Sequence, residues 1–71
     1  MELWIRSQDK KTLMNITRLY EFSNAIFSID SRENEIILGT YKKGKRALEI
    51  LDDIEKLIIL NYKGVYEMPK E

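Results

Sequence analysis

The sequence predicts an α+β domain: a four-stranded antiparallel β-meander followed by one C-terminal α-helix packed on the sheet. Three observations predict it. Apolar and polar residues alternate through most of the stretch up to Tyr41, which is the period of a strand. From about residue 45 the apolar spacing lengthens to three and four, which is the period of a helix. Short polar clusters separate the alternating stretches, as turns do.

The first strand covers residues 2–7, with Leu3 and Ile5 on one face and Glu2, Trp4 and Arg6 on the other. A polar turn follows at Gln8, Asp9 and Lys10, where Asp9 suits a local side-chain hydrogen bond. The second strand is expected over residues 12–22, with Met14, Ile16, Tyr20 and Phe22 on one face. Ser23 and Asn24 then form a two-residue hairpin turn. The third strand is Ala25 to Ile29, and Asp30 to Asn34 is a charged turn. Glu35 to Tyr41 is the fourth strand, where Gly39 predicts a bulge or a close backbone approach.

The helix is expected from about Lys45 to Tyr62, on a stripe of Ala47, Ile50, Leu51, Ile54, Leu57 and Ile58. Gly64 is the expected stop signal. Residues 1–64 therefore read as a single α+β domain, and 65–71 as a C-terminal tail with no period. Leu57, Ile59 and Leu60 make the helix end apolar nearly all round, which marks a candidate subunit interface.

A chain of 71 residues supports one thin core and gains from an extra stabiliser. Cysteine and histidine are both absent, which excludes disulfides and the common zinc sites. Self-association into a homo-oligomer is the remaining expectation. The same absences remove the usual general base and thiol nucleophile, so an enzyme is not expected, nor any cofactor or metal. Asp52, Asp53 and Glu55 read as a solvated helix face. Neither a signal peptide nor a membrane-spanning run is read, so a cytoplasmic location is expected. Lysine and arginine number 12, as do aspartate and glutamate; this zero net charge argues against a general nucleic-acid binder.

Two local features point to a ligand. Lys42, Lys43, Lys45 and Arg46 cluster where the helix begins, at the end whose dipole is positive. An anion bound there would relieve that conflict. The alternative is a solvated patch. Nearer the start, Trp4 stands beside Arg6, Ser7 and Gln8, an aromatic plate next to a row of donors. Tyr41 is a second stacking candidate. Against this stands a strand-to-turn junction held by its own hydrogen bonds.

The segment Trp4-Ile5-Arg6-Ser7-Gln8-Asp9-Lys10, followed by Leu13, resembles the opening of a family of small phage and prophage proteins of Gram-positive bacteria. Leu38-Gly39-Thr40-Tyr41-Lys42, Arg46-Ala47-Leu48-Glu49 and Leu51-Asp52 resemble the strand and helix with which such chains close. The middle hairpin is outside the resemblance. The family usually carries a threonine and acidic residues where this chain has Lys43, Gly44 and Lys45. The resemblance implies a non-enzymatic counter-defence protein acting in the host cell cytoplasm. Its expected ligand is an anionic nucleotide-like signalling molecule, sequestered inside an oligomer. The alternative is a protein–protein inhibitor, or a structural accessory protein, binding a host or phage protein such as a host defence protein.

Overall fold

A computed structural model describes residues 3–16 and 18–71. The readings of Glu2 on the first strand and Thr17 on the second lie outside the described residues. The elements run β1 (Trp4–Arg6), β2 (Leu13–Asn15), β3 (Leu19–Phe22), β4 (Ala25–Ile29), β5 (Glu35–Thr40), α1 (Gly44–Ile59) and β6 (Val65–Glu67). The class is α+β with one helix, as expected, but there are two three-stranded sheets in place of one four-stranded meander. One sheet is ordered β2-β1-β6 and the other β3-β4-β5.

The expected strand over 12–22 breaks between Asn15 and Leu19. A continuous strand would keep Met14, Ile16, Tyr20 and Phe22 on one face. Met14 and Ile16 do pack on the core, but Leu19 joins them from the opposite parity. Tyr20 and Phe22 are thereby turned outward, and Phe22 is 67% exposed. A one-residue change of phase moves every following side chain to the other face. The chain uses it to pass from one sheet to the other.

The β1–β2 turn is built by Ser7 and Asp9. Ser7 Oγ donates to Asp9 Oδ1 at 2.6 Å, and Asp9 Oδ1 accepts the Lys11 amide at 2.9 Å. The Ser7 hydroxyl, then the Lys11 amide, hold the Asp9 carboxyl below its usual range. The β3–β4 turn has positive φ at both Ser23 (54°) and Asn24 (64°). That is the type I′ geometry, whose twist matches its strands. In β5, Gly39 stands opposite Ile26 and Ile37 opposite Phe27, so Leu38 is the extra residue of a bulge. A Cβ on Gly39 would lie 2.7 Å from the Tyr41 hydroxyl, so glycine is what lets that ring lie across the strand.

Helix α1 buries Ala47, Ile50 and Ile54, with Leu51 and Ile58 half-buried beside them. It ends earlier than the expected Tyr62, and on Asn61 instead of Gly64. Asn61 takes the left-handed conformation at φ 57°. The Asn61 amide donates to the Ile58 carbonyl at 3.1 Å and the Tyr62 amide to the Leu57 carbonyl at 3.0 Å. This pair of bonds is the Schellman stop, which asparagine supports as well as glycine.

Residues 65–71 do not form a loose tail. Val65–Glu67 pair in parallel with β1, setting Tyr66 beside Ile5. Met68 is buried in the shared core with Leu3, Ile5, Ile26, Leu38, Tyr41, Ala47, Ile50 and Ile54. A parallel partner is distant in sequence by necessity, so no local pattern announces it. Ser28 Oγ is a buried hydroxyl with no hydrogen-bond partner among the described residues.

Candidate binding surfaces

The Ser7 hydroxyl and the Gln8 carboxamide are engaged within the fold, and Arg6 spends one of its donors there. Arg6 Nη1 donates to the Lys10 carbonyl at 3.0 Å. Ser7 is buried and bound to Asp9. The Gln8 carboxamide pairs with Thr40 as another peptide group would: Oε1 accepts the Thr40 amide at 3.0 Å, and Nε2 donates to the Thr40 carbonyl at 2.9 Å. The same Nε2 reaches the Lys70 carbonyl at 2.8 Å and the Pro69 carbonyl at 3.3 Å. With the Gln8 amide donating to the Leu38 carbonyl at 2.7 Å, one residue joins β1, β5 and the C-terminal segment. Ser7 and Gln8, expected as ligand contacts, thus act as structural braces, while Arg6 is half-buried with a single main-chain bond.

Tyr41 is corrected in the same way. It is 7% exposed, and its hydroxyl donates to the Pro69 carbonyl at 2.8 Å, so its ring is not free to stack on a ligand. Burial pushes the phenol up to about 12, and the neighbouring Tyr66 adds to the rise. The unfolded chain ionises this group near 10.0, whereas the folded chain keeps the proton. The contribution of this group to stability is therefore present below pH 10 and is lost as pH rises toward about 12, a fall of at most roughly 2 to 3 kcal/mol. Denaturant unfolding across this alkaline range should show that fall, and Tyr41→Phe should reduce it.

The basic cluster does assemble as expected at the helix start. Lys43 is the N-cap residue, extended at φ −133° and ψ 142°, with no side-chain cap, and the first turn holds no acidic residue. Lys42, Lys43 and Arg46 line an open depression of about 480 Å³, together with Glu49 and Glu71. Lys45 is exposed on the first turn. Two features oppose an anion here. Arg46 is already engaged, Nε donating to the Glu71 main-chain oxygen at 2.8 Å and Nη1 to Glu49 at 3.4 Å. The β3–β4 hairpin also presses on Gly44: a Cβ there would lie 3.1 Å from Asn24 Oδ1 and 3.7 Å from a Glu21 carboxylate oxygen. Glu21 thus brings from the sheet the carboxylate that the first turn lacks. Lys43→Asp would restore a cap and a dipole-matched charge, and should raise stability by about 1 kcal/mol in low salt, read from thermal unfolding.

Trp4 is 40% exposed on the outer face of β1, beside Val65 and Asn15. Its sheet neighbours are β2 and β6, and Lys42 and Lys43 lie on the link between β5 and α1.

Apart from Leu48 on α1, the exposed large apolar residues among those described fall into three places. At the helix end, Ile59 is 74% and Leu60 75% exposed, with Tyr62 next to them and Leu57 half-buried. On the outer face of β3-β4-β5, Phe22 and Ile37 stand out beside the stacked rings of Tyr20 and Phe27, whose centroids are 5.3 Å apart. On the outer face of β2-β1-β6 stand Trp4, Leu13 and Val65. An open sheet face in need of solvent tolerance or a partner is expected from the sequence, carrying Trp4 or Leu13 and Leu19, but alternation marks two faces without telling which one is covered. No helix is long and apolar enough to cross a membrane, and no metal-binding cluster of acidic side chains is found among the described residues. No protein-family model, curated protein or solved structure matches the chain.

Proposed function

We propose that this chain is a non-enzymatic binding protein that acts by docking on another protein, with the apolar end of α1 as its contact surface. The observation that carries the reading is the exposure of two adjacent large aliphatic side chains, Ile59 and Leu60, at about three-quarters of their surface each. They stand on a helix end fixed by the Schellman bonds, so the surface is held in place before a partner arrives. Such an exposed apolar group costs solubility and is characteristic of contact sites. The phage-type resemblance supports an inhibitor or accessory protein whose target is a host or phage protein.

The test is affinity capture from cells of the native host, comparing the wild type with Ile59→Glu/Leu60→Glu. Both positions are solvated, so the double variant should melt like the wild type. A partner held by the wild type and released by the folded variant is expected. Equal capture by both proteins would remove the helix end from the interface.

The uncapped, lysine-flanked helix start favours a second reading: sequestration of an anionic nucleotide-like messenger at Lys42, Lys43, Lys45 and Arg46. Calorimetric titration with cyclic dinucleotides and ADP-ribose derivatives tests it. Heat that disappears in Lys42→Ala/Lys43→Ala supports this reading, and silence across the panel ends it.

A further inference from the structure

The two sheets each turn one face to the shared core and the other outward, so the outer faces lie on different sides of the molecule. Both outer faces carry exposed apolar residues, but their charged rims differ in sign. Around Trp4, Leu13 and Val65, the register places Arg6 on the same face, with Lys11 and Lys63 two positions before Leu13 and Val65. Lys10 also reaches this face, where its ammonium lies 2.6 Å from the Glu67 carboxylate. Glu67 is the one acidic group there among the described residues named by the register. Around Tyr20, Phe22, Phe27 and Ile37, the rim carries Glu35 opposite Ile29 and the loop residues Asp30 and Glu33, offset by Arg18 and Arg32. The Trp4 face thus has a net basic rim, and the Phe22 face a rim with one more acidic than basic group.

We propose that these faces are the two halves of one self-association contact: the Trp4 face of one copy seats on the Phe22 face of the next. Charge complementarity favours this pairing: two Trp4 faces would oppose Arg6 and their lysines, and two Phe22 faces, whose acids are largely offset by Arg18 and Arg32, would gain no net attraction. Each face offers on the order of 300 Å² of apolar surface, enough to mark a contact but below a standard stable interface. The association is therefore weak, concentration-dependent and sensitive to salt. Because the contact is head-to-tail, it generates a ring if the rotation closes and a filament if it does not. This surface is separate from the helix end, so its failure leaves the function proposed above untouched.

Light scattering on the full chain tests the contact, with Trp4→Ala and Phe22→Ser as variants of two exposed positions and thermal unfolding as the control for folding. The wild type should exceed the monomer mass at high concentration and lose mass as salt is added. Each variant alone should be restricted to monomer. An equimolar mixture should form a heterodimer, because the Trp4→Ala copy still offers an intact Phe22 face to the Trp4 face of the other. A wild type that stays monomeric at its solubility limit overturns the proposal. So do variants that assemble like the wild type, or a mixture that stays monomeric.

Discussion

Deleting residues 65–71 should leave a chain that does not fold. Met68 is 3% exposed and touches the centre of the core, and losing such a side chain costs about 2–5 kcal/mol. The deletion also strips β1 of its parallel partner, exposing the edge beside Ile5. The Tyr41 hydroxyl loses its acceptor at Pro69, a further cost of about 0.5–1.5 kcal/mol. Gln8 and Arg46 lose the carbonyls of Lys70 and Glu71. A domain of 71 residues has roughly 4–10 kcal/mol to lose. Far-ultraviolet circular dichroism of the truncated chain should show no cooperative melt. A melt matching that of the full chain would mean that β6 and Met68 contribute nothing.

Ile50→Ala should cost about 2–5 kcal/mol, while Leu48→Ala, two residues away, should stay within about 0.5 kcal/mol. Ile50 is fully buried between the helix and the sheets; Leu48 is 52% exposed. The helical period alone sets them apart, since residues at i and i+2 lie on different sides of a helix. Urea unfolding of the two variants reads the difference. Comparable losses at both sites would mean that the helix packs on another face.

The parts of the fold that were legible are those whose signal is local. The apolar stripe of α1, the Ser23-Asn24 turn and the bulge at Gly39 each follow from a few neighbouring residues. The strand over 12–22 was misread because alternation shows period and not phase. The slip between Ile16 and Leu19 leaves both pieces looking like one strand. β6 was not legible because three residues without a period become a strand only when β1 lies beside them.

The candidate site divides along the same line. The charges of Lys42, Lys43, Lys45 and Arg46 cluster as their spacing implied. Arg6, Ser7 and Gln8 are the donors a ligand would want, but donors look alike whether they face a ligand or a carbonyl far along the chain. The Gln8 contacts with Pro69 and Lys70, more than sixty residues away, show how little local sequence reveals of such a role. Leu57, Ile59 and Leu60 stood out by composition, and the structure divides them into one half-buried and two exposed residues.

The most direct test of the claim that this is a protein-binding module is site-specific photo-crosslinking in the native host. A photoreactive residue is placed at Leu60 and, as a control, at the exposed Asp52 on the same helix. The helix end as contact surface predicts a discrete adduct with a protein other than this chain from position 60 and none from position 52. The same adduct from both positions, or none from position 60, would contradict it.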